Sequence, residues 1–205
     1  MLTGMRSGAW VVVLCVTIGG IAGCSSLPWS EHDAQLYSPV NGRVGEGHAG
    51  MAANDLLSLG DIPLCVDVPG SVTITGVEPV APSDGLSVTS FAVREIPAGD
   101  EPPGNGLGGL TSLGLTTAQQ ARRAVTNVCD EQSRANVGLD GPPPAGTETR
   151  RVDLVITTTA PRLPASAREL LIHYTDASGD QRTTTSAVSL ALCAGTITDA
   201  CDPPP

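Results

Sequence analysis

Apolar positions alternate with hydroxyl or charged ones through most of the chain from residue 61 onward. Ser71-Val72-Thr73-Ile74-Thr75 repeats at period two, which places Val72 and Ile74 on one face of a half-buried strand. Val152, Leu154 and Ile156 form a second inward set, with Asp153 and Thr157 facing out. Leu170, Ile172 and Tyr174 form a third, and Val188, Leu190 and Leu192 a fourth. Between these last two lies Asp176-Ala177-Ser178-Gly179-Asp180, a turn composition that predicts a hairpin over residues 168–193. Leu86 and Val88 have one parity, Phe91 and Val93 the other. A β-bulge near Thr89 or Ser90 brings all four to the same face.

Two stretches resist the strand pattern. Residues 97–115 form a long Gly and Pro loop, a length that in a compact domain signals function or disorder. Residues 117–129 place Ala121, Ala124, Val125 and Val128 at helical spacing behind a Thr117-x-x-Gln120 capping-box pattern. The same residues also suit a short strand ending at Cys129, and both readings stand at this stage. About seven short strands and few helical signals predict a mainly β fold: an antiparallel β-sandwich of immunoglobulin-like architecture, with at most one short helix and two disulfides. The inter-sheet Trp of antibody-type domains is missing, so that likeness is architectural only.

The first 23 residues are patterned differently. Arg6 precedes an apolar run from Ala9 to Ile18, followed by small residues and Cys24. This is the layout of a secretory signal, and the run is about half of what a membrane-spanning helix needs. Ile21-Ala22-Gly23-Cys24 resembles the lipobox of bacterial lipoproteins at every position. The resemblance implies diacylglyceryl transfer to the Cys24 thiol, cleavage before it, and stable attachment to the bilayer through two or more acyl chains. It covers 24 residues and does not extend to the domain behind them. Residues 24–60, rich in Gly, Ser, Pro, Asn and Ala, then read as a flexible tether with a reach of about 30–36 Å, and residues 61–205 as the ectodomain.

Charge narrows the partners. The mature chain from Cys24 carries 10 Arg and no Lys against 21 acidic residues, a formal charge of −11. Nucleic acid and anionic lipid surfaces are poor partners for it, because both are bound through clustered cations. Aromatics are scarce, with only Trp29, Tyr37, Phe91 and Tyr174 after the signal, which weakens a sugar-binding reading.

Four cysteines follow the anchor: Cys65, Cys129, Cys193 and Cys201. An even number in an exported chain predicts two disulfides, and the expected pairs are Cys65 with Cys129 and Cys193 with Cys201. No Cys-x-x-Cys spacing suggests a metal or redox site, and neither a metal nor a cofactor is expected.

Other motifs are weak. Gly104-Asn105-Gly106-Leu107-Gly108-Gly109 satisfies G-x-G-x-x-G, but Glu101-Pro102-Pro103 precedes it where a dinucleotide site needs a buried strand. Leu110-Thr111-Ser112-Leu113-Gly114 approaches a nucleophile elbow without its first Gly. Asp176, Ser178 and Asp180 have a calcium-loop spacing but lack the Gly and Glu positions of an EF-hand. His173 alternates outward from its strand. No catalytic residue is assigned. The sequence therefore predicts a lipid-anchored protein on the extracytoplasmic face of the cell membrane, acting as a non-enzymatic binding module for an envelope protein or small ligand. The alternative is a cell-envelope hydrolase with a site assembled only by the fold, His173 supplying its base. Within the binding reading, the 97–115 loop is the expected contact surface.

Overall fold

The computed structural model describes residues 33–48, 51–101, 103–146 and 150–194. The strands are β1 (Leu36–Tyr37), β2 (Asn41–His48), β3 (Leu57–Pro63), β4 (Cys65–Val66), β5 (Val72–Val80), β6 (Ser87–Ile96), β7 (Asn105–Leu107), β8 (Ala124–Val125), β9 (Arg151–Thr159), β10 (Ala165–Ala167), β11 (Glu169–Thr175) and β12 (Gln181–Ala194). Among the described residues, helical structure is limited to a 3₁₀ turn at Leu110–Leu113, the single turn α1 (Thr117–Gln120) and the seven-residue α2 (Glu131–Val137).

Two sheets enclose one core. In the first, β12 pairs along one edge with β11 and, past Arg168, with β10. The two short strands lie end to end there, because β2 occupies the opposite edge at residues 187–194. β11 then pairs with β5, and β5 with β8. The second sheet has the order β6-β9-β3-β7. Among the described residues, the strand pairings within these two sheets are antiparallel except β2 with β12, which run parallel. Leu154, Ile156, Leu170, Ile172, Val188, Leu190 and Leu192 are all fully buried in a single cluster between the sheets. The fold is a β-sandwich built on the inward sets that the alternation predicts. Burying each such side chain contributes about 1.5–3 kcal/mol.

The bulge in β6 falls at its predicted place. Pairing with β9 shifts register between Val88 and Ser90, and Val93 is 1% exposed on the core side with Phe91 packed beside it. The hairpin of β11 and β12 also forms around Asp176–Asp180, with Gly179 at φ +92° closing the turn.

The boundary drawn at residue 60 is corrected. β1, β2 and the start of β3 lie within residues 24–60, and Leu57 and Leu59 are buried in the core. The Gly-rich run 41–48 shows no apolar period, yet the end of β12 supplies it with a backbone partner over eight residues. Residues 117–129 follow neither single reading. Thr116 and Gln119, one residue earlier than the predicted box, cap the turn α1. The chain then extends: the Val93 and Ile74 amides donate to the carbonyls of Arg122 and Arg123 at 3.0 Å each, and Val125 pairs with Val72. This segment joins the edges of the two sheets, and Arg123 stacks over the Phe91 ring at 4.5 Å.

Candidate functional site

The predicted disulfide between Cys65 and Cys129 is present, with Cα atoms 4.9 Å apart. It joins β4 to the segment that seals the sandwich edge, where Val66 and Val128 also form a parallel bridge. Cys193 is buried at the end of β12, while Cys201 and Cys24, the residue expected to be lipidated, lie outside the described residues.

The 97–115 loop is a strap packed on the sandwich. β7 extends the second sheet, and Leu110, Leu113 and Leu115 bury themselves against Ala92 and Val155 on its outer face. Backbone bonds fix it at two points, from Gly60 N–H to Gly104 O at 2.6 Å and from Gly108 N–H to Leu56 O at 2.7 Å. Ser58 Oγ donates to Gly108 O at 3.0 Å and lies 2.8 Å from Thr157 Oγ1. The strap overturns one expectation about β9. Asp153 and Thr157 do point away from the core, but at 0% and 1% exposure they are covered by the strap and its neighbours.

A charged cluster lies at one end of the strap. Asp61, at φ +58° in a β3 bulge, accepts from Arg151 Nη2 at 2.8 Å. Arg151 also donates through Nε and Nη2 to the two carboxylate oxygens of Asp153, each at 3.2 Å. Arg94, 6% exposed, reaches the same carboxylate at 3.5 Å and donates to Pro103 O at 3.0 Å. Burial pushes the Asp153 carboxyl above the usual carboxylate range, opposed by its hydrogen bond to Arg151 and by the charges of Arg151 and Arg94. The cluster pins the strap to the sheet.

The other sequence candidates are dispersed. Asp176 Oδ1 accepts from Ser178 N–H, Ser178 Oγ–H and Asp180 N–H, at 3.1, 2.6 and 3.0 Å, and Oδ2 accepts from Arg182 Nε at 2.6 Å. Those bonds, led by the Ser178 hydroxyl, hold its pKa down to about 2. The carboxylate that a calcium ion would need is committed to the turn's own donors. His173 lies on the outer face of the first sheet, its Nε2 3.6 Å from Glu78 and its cross-strand neighbours Thr183 and Gly76. The Ser112 hydroxyl donates to Gly106 O. The Gly104–Gly109 motif belongs to β7 and the strap, with no long helix behind it to meet a pyrophosphate.

Three clefts lie together at one end of the sandwich. They measure about 340, 430 and 410 Å³, all touch Arg150 and form one groove around it. The three share further walls: Asn127, Val128 and Val152 line two of them, Arg151 two and Glu95 two. Leu64, Cys65 and Val128, next to the disulfide, are among the residues lining one of the three clefts. Asn127 Nδ2 donates to Leu64 O at 2.8 Å, which fixes the amide's orientation. Its Oδ1 is buried and meets no donor among the described residues. None of the three clefts is lined by His173. Only pattern breaks marked this groove in the sequence: the Pro-rich stretches and the Arg150-Arg151 pair that border it.

The arrangement is that of a disulfide-stapled β-sandwich with a polar groove at one end. No family model matches the chain, and no curated protein or solved structure is similar to it by the comparisons made.

Proposed function

We propose that the chain is an extracytoplasmic lipoprotein, anchored to the cell membrane by acyl chains on Cys24, whose β-sandwich is a non-enzymatic binding module of the cell envelope. The Ile21–Cys24 lipobox supplies the anchor, and the Cys65–Cys129 bond suits an oxidising compartment outside the cytoplasm. A second bond between Cys193 and Cys201 belongs to the same proposal. The contact surface is the groove around Arg150, in place of the 97–115 loop.

The observation that carries the binding reading is the meeting of three clefts at Arg150, with Arg151, Glu95, Asp100 and Asp130 on their walls. The volumes lie in the range of small-molecule sites, about 300–1,000 Å³. Crosslinking on intact cells, followed by extraction and mass spectrometry, tests this reading. Crosslinks from the groove walls to a cell-envelope component support it. Crosslinks confined to the outer face carrying His173 contradict it.

A further inference from the structure

We infer that two copies of the chain pair through an open edge of β12, residues 181–185, in antiparallel register with Thr183 opposite its own copy. None of these residues lines the groove, so this interface is separate from the binding reading above.

The edge is defined by what pairs with β12. On one side, β11 and then β10 accompany it from Gln181 to Leu192. On the other, β2 begins only at Ala187 and runs to Ala194. Among the described residues, no strand pairs with 181–185 on that second side. The chain leading into β2 meets β12 at Ser186, whose Oγ accepts from Ser38 Oγ–H at 2.8 Å. The bond from Asp176 N–H to Asp180 O, continuing the β11 register, sets the phase of the ladder. Bonded and non-bonded positions alternate in an antiparallel pair, so the backbone groups of Arg182 and Thr184 point to β11. Those of Gln181, Thr183 and Thr185 point to the open side, and these three residues are exposed.

The residues of the run select the occupant. Thr183, Thr184 and Thr185 are strand formers, and the run has no Pro, Lys or bulge to keep an edge from pairing. Other edges offer less. β2 is interrupted by Gly42, Gly45 and Gly47, β8 and β7 span two and three residues, and β6 is met at Val93 by the Arg122 carbonyl. An edge that captures a foreign strand draws specificity from side-chain pockets, and residues 181–185 line none of the three clefts. The run instead matches itself. Centred on Thr183, it sets Thr183 against Thr183, Arg182 against Thr184 and Gln181 against Thr185 of the second copy. Cross-strand Thr pairs are favourable, and no like charges stand opposite one another. Arg182, the one charge in the run, is held within its own chain by Asp176 at 2.6 Å. The same surface serves both copies, as a two-fold interface requires.

The test follows the full chain, purified in detergent, across concentration by sedimentation and amide exchange. Exchange at Thr183 and Thr185 should slow as the dimer forms, while Arg182 and Thr184, already bonded to β11, should not change. This arm needs only the wild type, so the test stands even if a variant does not fold. Thr183→Lys and Thr183→Glu each place like charges on the two-fold axis and should each weaken the dimer by about two- to fivefold. An equimolar mixture of the two should dimerise at least as tightly as the wild type. A chain that stays monomeric up to its solubility limit overturns the inference. So does a dimer in which both variants and their mixture behave as the wild type, because the copies then meet elsewhere. Slow exchange at Thr183 and Thr185 in the monomer gives the edge to another segment of the chain and also overturns it.

Discussion

Arg94 and Asp153, side by side on β6 and β9, form a charge pair at 3.5 Å with side chains 6% and 0% exposed. Arg94 also reaches Pro103 O, so the pair ties the strap to the sheet beneath it. Breaking such a pair from one side leaves a buried charge uncompensated, which costs about 3–5 kcal/mol, whereas replacing both partners by apolar groups is often neutral. Asp153→Asn should lower unfolding free energy in that range. Arg94→Leu with Asp153→Leu should recover most of the loss, as read by denaturant titration.

Leu113 is 3% exposed and packs in the small cluster under the strap. Leu113→Ala should destabilise by about 2–5 kcal/mol if the cavity stays open. Amide exchange should accelerate first at Gly60 and Gly108, whose N–H groups hold the strap in place. Unchanged protection at both amides would mean that Leu113 does not secure the strap.

The Cys65–Cys129 bond closes a loop of sequence separation 64 and fastens the segment joining the two sheet edges. Cys65→Ser with Cys129→Ser should cost about 2–4 kcal/mol and leave the β signature in circular dichroism unchanged at low temperature.

Asp176 gives a pH signature. Its carboxyl is held down to about 2 in the folded chain, chiefly by Ser178, against an ordinary value near 4 when unfolded. The folded state favours the ionised form, so this stabilisation is complete above about pH 4 and is lost as pH falls through about 2. The melting temperature of the wild type should exceed that of Asp176→Asn at pH 5, and the gap should close as pH falls toward 2. A constant gap would remove the assignment.

Periodicity made the core legible. Val72 and Ile74, the sets in β9, β11 and β12, and the bulge after Val88 follow from side chains that alternate faces, because one face of each strand must leave water. It failed where backbone pairing or covering decides the structure. The β2 run Asn41–His48 has no apolar pattern and is organised by β12. Asp153 and Thr157 read as solvent-facing because nothing local announces that a Gly-rich strap will cover them. α2 is bounded by Asp130 at its N-cap and Gly138 at φ +74° after its end, and its seven residues are too few to show a helical apolar period. The groove gathers residues from segments 63–70, 95–100, 126–133 and 150–152, and only the fold brings them together.

The central claim, that Cys24 anchors a module outside the cytoplasm, is tested most directly by intact-mass and N-terminal peptide analysis of the protein extracted from cell membranes. The predicted result is a mature chain beginning at Cys24 with diacylglyceryl mass on its thiol, lost in Cys24→Ala. A membrane-extracted chain whose N-terminal peptide includes an unmodified Cys24 would contradict it.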